Sequence, residues 1–209
     1  MLKPERLAAF SDGVIAIAIT LLVLGLEVPS VHEVPEQELT HYLRTSFHAV
    51  AGYVSSFVLV GTYWLQHYVI FHYITRVDRT FVVLNGLFLL CVSFVPFPTG
   101  LQAVYRDDEL AIVLYGVTQA VCGICLMALW TYATSKRRLV SPETSDDAVR
   151  QMWVRMAMTP VISFVAIAVS VISIDLSRLV FAAIPITYFS QKIADGPWNS
   201  KNDSASAEA

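Results

Sequence analysis

Charge is scarce in this 209-residue chain. Asp, Glu, Lys and Arg together make up 15%, where soluble globular domains carry about 25%. A basic excess is missing as well: the formal net charge is −3. No cationic stripe is left to neutralise a phosphate backbone, which excludes a nucleic-acid binder. Cysteine is nearly absent. Cys91, Cys122 and Cys125 all lie inside apolar runs. Cys122 and Cys125 form a C-x-x-C pair, but a redox or zinc site needs polar, accessible surroundings. They read as buried hydrophobes, and no disulfide is expected. The five histidines, His32, His41, His48, His67 and His72, are too scattered for a metal site. No nucleophile–base pair is evident, so neither an enzyme nor a bound cofactor is expected. No internal repeat is visible that would support an inverted-repeat transporter.

What the chain has instead is apolar surface. Hydrophobic residues make up 56% and the mean hydropathy is +0.58. That excess requires lipid as solvent. Six apolar runs stand out, at about Leu7–Val28, Tyr42–Phe71, Phe81–Val104, Leu110–Thr134, Met152–Ile174 and Leu176–Ile193. At about 20 residues per span, six use roughly 120 residues and leave no room for a second domain. The expectation is an all-α integral membrane protein of six transmembrane helices, residues 1–193. Residues 194–209 then form a small, polar, disordered tail. A cleaved signal peptide does not fit the first run. Asp12 interrupts it, and no small-residue cleavage site follows Leu26-Glu27-Val28-Pro29.

Lys and Arg set the orientation. With both termini cytoplasmic, eleven of the fourteen fall inside, and only Arg44, Arg106 and Arg178 fall outside. The acids Glu27, Glu33, Glu36, Glu38, Asp107, Asp108 and Glu109 gather on the outer side. There they form a solvated loop or concentrate cations near an entrance.

Polar residues recur at one depth. Asp12 lies about 8–9 Å into the first span at 1.5 Å per residue. His67 lies at a similar depth in the second, with Trp64 one turn above it on the same face. Asn85 lies a few residues into the third. A hydrogen-bonded knot of Ser11, Asp12, Trp64, His67 and Asn85 is expected. It is either structural glue between helices or a proton relay through Asp12 and His67. On the first span, Ile17, Thr20, Leu21 and Leu24 share a narrow face, and Asp12 is about 140° from Ile17. If that face lines a pore, Asp12 points into the protein behind it; if Asp12 faces water instead, the aliphatic face packs inside. The bland reading of the same face is packing against lipid or neighbouring helices.

Arg6-Leu7-Ala8-Ala9-Phe10-Ser11-Asp12 reads R-x-x-x-F-S-D and runs into Gly13-Val14-Ile15-Ala16-Ile17. It resembles the start of the transmembrane protein 175 family. The likeness extends to Tyr63-Trp64-Leu65-Gln66-His67 with Phe71, and to Asn85 and Phe94-Val95-Pro96-Phe97-Pro98-Thr99. Where relatives often carry a second histidine, this chain has Tyr68. The resemblance implies a potassium channel of moderate selectivity in a bacterial cell membrane. It implies a homotetramer of six-helix subunits around a central pore lined by the first helix. The constriction would be rings of aliphatic side chains at Ile17, Leu21 and Leu24, with Thr20 beside them, and no T-V-G-Y-G carbonyl filter. The motif residues Arg6, Phe10, Ser11 and Asp12 would set the first helix against the next two. Arg6 falls near the pore-lining phase at the cytoplasmic mouth, where it pairs with an acid or snorkels outward. The competing reading is a proton-coupled carrier or proton channel using Asp12 and His67.

Overall fold

The computed structural model describes residues 3–26, 28–30, 35 and 38–190. Within them the chain is helical. Pro4 opens α1 (Pro4–Leu21), where its missing N–H removes no helical bond. The helix tightens into a 3₁₀ turn over Leu22–Gly25. α2 (Leu39–Thr45) and α3 (Phe47–Tyr73) meet at a bend at Ser46. α4 (Arg79–Phe94) and α5 (Pro96–Val104) meet at Val95. Pro96 has no N–H to give the Val92 carbonyl, which accepts the Val95 N–H instead, at 3.1 Å. α6 (Glu109–Thr134), α7 (Asp146–Ser170) and α8 (Ile174–Ser190) complete the bundle.

Five stretches are long and apolar enough to cross a membrane: Pro4–Gly25, Leu39–Tyr73, Arg79–Val104, Glu109–Arg137 and Asp146–Ser170. They correspond to the first five expected spans. The fifth begins at Asp146, not at Met152. The Ser145 hydroxyl accepts the Ala148 N–H, and Asp146 and Asp147 suit the positive end of the helix. The expected sixth span is α8, 17 residues as described, at the short end for crossing hydrocarbon. Asp175 and Arg178 lie near its start and pair at 2.7 Å. The polar tail, and Glu27, Glu33 and Glu36 of the acidic outer segment, fall outside the described residues.

α6 is the axis of the bundle. More than half of its apolar window is buried, against about a quarter of that of α1. Its chief neighbours are α7, α4, α5 and α3. The approach of α6 to α7 depends on two glycines seven residues apart. A Cβ at Gly116 would lie 2.6 Å from Ile167 Cγ1, and one at Gly123 would lie 2.7 Å from Pro160 Cδ and 3.1 Å from Thr159 Cβ. The proline ring has no rotamer by which to yield. Gly123→Ala is therefore expected to cost about 1–3 kcal/mol by overpacking. That lowers the apparent Tm by several degrees in a fluorescence melt. Gly52→Ala, whose Cβ meets nothing within 4 Å, should leave it unchanged.

One end of the bundle is tied by its loops. Asp78 caps α4 by accepting the Phe81 N–H at 2.8 Å, and also accepts the Tyr132 hydroxyl at 2.6 Å. Burial pushes its carboxyl up, but these bonds and the Arg138 charge outweigh that, and the net shift is downward. Arg76 Nε donates to the Arg138 carbonyl at 2.8 Å. Thr75 N–H donates to the Leu139 carbonyl at 2.9 Å.

Candidate functional site

α1 presents two unlike faces. Leu7, Ser11, Ile15, Ala18 and Leu22 recur every three or four residues and are buried. Phe10, Gly13, Ile17, Thr20, Leu21 and Leu24 lie on the opposite side and are exposed. Ile17 is 60% exposed and Leu24 74%. An apolar face this open, on a helix whose buried side is already satisfied, is left for lipid or for another copy of the chain. The Thr20 hydroxyl donates to the Ile17 carbonyl at 2.8 Å, so it adds polarity to the face without an unmet donor. Arg6 shares this phase and is exposed. Among the described residues its side chain has no ion pair.

Behind the buried stripe is a polar chain across three helices. His67 Nε2–H on α3 donates to Asn85 Oδ1 on α4 at 2.9 Å. Asn85 Nδ2–H donates to Ser11 Oγ on α1, also at 2.9 Å. Ser11 Oγ–H donates to its own helix at the Leu7 carbonyl, at 2.9 Å. All three side chains are buried. The His67 ring is stacked on Phe88, with centroids 5.5 Å apart, and tilted against Phe71 at 4.5 Å. In this direction a neutral imidazole satisfies every link. The chain ends on a backbone carbonyl, with no carboxylate along it.

Asp12 departs from the sequence reading. It does not point into the protein behind the Ile17 face, and its exposure does not bury that face: Asp12 and Ile17 are both exposed, with Asp12 on a flank. A step of 100° from Ser11, which holds the centre of the buried stripe, carries it there. It accepts Trp64 Nε1–H at 2.9 Å. Trp64 and His67 are three residues apart, hence about 60° out of phase. That offset suffices to leave Trp64 at the exposed edge while His67 is inside. The expected knot is thus two separate links, Trp64–Asp12 outside and His67–Asn85–Ser11 inside, joined only through the backbones of α1 and α3.

A second polar ladder was missed by the sequence reading. Tyr63 Oη donates to Gln119 Oε1 at 2.8 Å. Ser56 Oγ lies 3.2 Å from the Tyr115 hydroxyl and accepts from Thr99 at 3.1 Å. Tyr and Gln at buried phases of the second and fourth runs were its signal. Among the described residues no cluster of three His, Cys, Asp or Glu stands ready to hold a metal.

Comparison with known proteins gives concordant matches. A family described as the endosomal/lysosomal potassium channel TMEM175 matches residues 6–96, which run from the first turn of α1 to the end of α4. A potassium channel of Streptomyces collinus is 36% identical over 162 residues, 76% of this chain and 78% of its own. The crystal structure of a lysosomal potassium-selective channel TMEM175 homolog from Chamaesiphon minutus superposes with a TM-score of 0.81 at 33% identity. That alignment covers 91% of this chain and 98% of the other. The human endosomal/lysosomal proton channel TMEM175 is 24% identical over 195 residues, 90% of this chain but 38% of its own length.

Proposed function

We propose that this chain, which belongs to the TMEM175 family of channels, is a K+-permeable channel whose pore is walled by the open face of α1. It is an integral membrane protein and, as a member of a channel family, not an enzyme. The observation that carries the reading is that face: Ile17, Leu21 and Leu24, with Thr20, are exposed on a helix whose other side is packed. Four copies around an axis convert it into successive aliphatic rings. α8 serves as the sixth span. Both termini, including the 194–209 tail, lie in the cytoplasm of a bacterial cell, on the side that collects Lys and Arg.

A ring of Ile or Leu side chains offers no oxygen to replace a hydration shell. An ion must rearrange its water to pass. K+ holds water less tightly than Na+ and so meets the lower barrier. The same ring closes by losing its water. Arg6, at the mouth, keeps its guanidinium out of the constriction by snorkelling outward to the cytoplasmic water. The proton-coupled alternative has less support, because the link between Asp12 and His67 runs through backbone only.

Asp12→Ala removes the acceptor of Trp64 Nε1–H and the α1–α3 link with it. Less assembled protein is expected by size-exclusion chromatography, and Asp12→Asn, which keeps an acceptor, should recover most of it. A fully assembled Asp12→Ala protein with a shifted pH dependence of flux would favour the proton reading. The function itself is tested by K+ and Na+ flux in liposomes holding the purified chain. K+ flux should exceed Na+ flux, without saturation or proton coupling. Saturating, proton-coupled flux would replace the channel with a carrier.

A further inference from the structure

A surface groove of about 370 Å³ on α7 is lined by Asp147, Arg150, Gln151, Val154 and Arg155. These fall at i, i+3, i+4, i+7 and i+8, one stripe of the helix. The stripe containing Met152, Met156, Thr159 and Ser163 is buried, and α7 packs chiefly against α6 and α8. The groove is therefore on the outside of the bundle. Asp147, Arg150 and Gln151 are exposed and Arg155 is half-buried. Among the described residues, neither arginine nor Asp147 has an ion pair. The neighbouring cations are engaged: Arg137 with Asp146 at 2.6 Å, and Arg138 over the Tyr132 ring.

The level of the groove follows from what flanks it. Trp153 is 45% exposed beside it, as expected of a residue at the membrane–water boundary. Further along α7 the exposed residues are Val161, Phe164 and Val165, which suit acyl chains. The charges are ordered along the helix. Asp147 is outermost, Arg150 is about 4.5 Å further in, and Arg155 about 7.5 Å beyond that. A phospholipid headgroup ending in an ammonium has the complementary order, with its positive group outermost and its phosphate nearer the glycerol.

We propose that this groove binds the headgroup of phosphatidylethanolamine. Arg150 and Arg155 take the phosphate, where guanidinium forks bind best. Asp147 accepts from the primary ammonium, Gln151 meets the remaining phosphate oxygens, and Val154 lies under the glycerol. Phosphatidylcholine has no N–H for Asp147, and phosphatidylglycerol has no cation for it. The site does not depend on where the ion pathway runs.

The test uses the full chain reconstituted in an equimolar mixture of phosphatidylethanolamine, phosphatidylglycerol and phosphatidylcholine. It is then extracted, and retained lipid is counted by native mass spectrometry. Phosphatidylethanolamine should be enriched several-fold over both others. Arg150→Gln with Arg155→Gln should lower its retention about tenfold or more. Asp147→Asn should abolish the preference over phosphatidylglycerol while phosphate-dependent retention persists. Glu143→Gln, outside the groove, should behave as wild type. Retention in bulk proportions, enrichment of phosphatidylglycerol instead, or an unchanged profile in the double variant would each overturn the proposal. If the double variant fails to assemble, Asp147→Asn decides: an unchanged ratio of phosphatidylethanolamine to phosphatidylglycerol overturns it.

Discussion

Ile17→Ala is expected to bring the K+/Na+ permeability ratio close to unity while leaving the protein assembled. Ile17 is 60% exposed in the subunit and makes no part of its core. Trimming it therefore removes little intrasubunit packing, and surface changes of this kind usually cost under about 0.5 kcal/mol. In the tetrameric reading, the same trim removes three carbon atoms from each of four side chains at one level of the pore. The neck widens enough for hydrated ions of either kind. Discrimination by dehydration then falls, and total conductance rises. Ile15→Ala supplies the contrast. Ile15 is buried, so its truncation should cost about 2–5 kcal/mol of stability, with no change in ion ratio in whatever protein survives. Bi-ionic reversal potentials read the first effect and thermal melts the second. An unchanged ratio in Ile17→Ala would remove that residue from the constriction.

Asn85→Ala should be the most destabilising single change in the polar network. Asn85 joins His67 to Ser11 with two bonds of 2.9 Å, and all three side chains are buried. Its loss strands a donor on His67 and leaves the Ser11 hydroxyl without its incoming bond. Each stranded buried group costs about 1–3 kcal/mol. Side-chain bonds between membrane helices average lower, at about 0.6–2 kcal/mol. A total of about 2–4 kcal/mol is expected, enough to lose most folded protein from detergent extracts. Ser11→Ala removes only the middle acceptor and should cost less. Wild-type melting of Asn85→Ala would mean that the chain does not hold α1 to α3 and α4.

The helical architecture was legible because lipid imposes it. Apolar runs of spanning length have no other stable form in a bilayer, and five of the six runs match long apolar helices. The breaks inside them were less visible. The bend at Ser46 has no strong punctuation, and the break at Pro96 falls inside the single apolar run Phe81–Val104. The start of α7 was placed late because Asp146 and Asp147 look like loop residues, although acids belong in a first helical turn. Asn85, His67 and Ser11 could be grouped by depth, since rise per residue is constant. Their pairing could not, because 60° of phase decides between a buried His67 and an edge Trp64. The same sensitivity moved Asp12 to the flank. The Tyr63–Gln119 link depends on α3 lying beside α6, a contact between distant segments that no local pattern carries.

The central claim is that the exposed face of α1 is the pore wall. Cysteine accessibility at two neighbouring positions tests it most directly. With native cysteines replaced, Ile17→Cys and Ile15→Cys are each recorded in planar bilayers while a charged, water-soluble thiol reagent is applied. The account predicts block of K+ current through the Ile17→Cys protein, slowed when the pore is occupied by permeant ion, and no effect on Ile15→Cys. Modification of Ile15→Cys with Ile17→Cys untouched would place the pathway on the other side of the helix and contradict it.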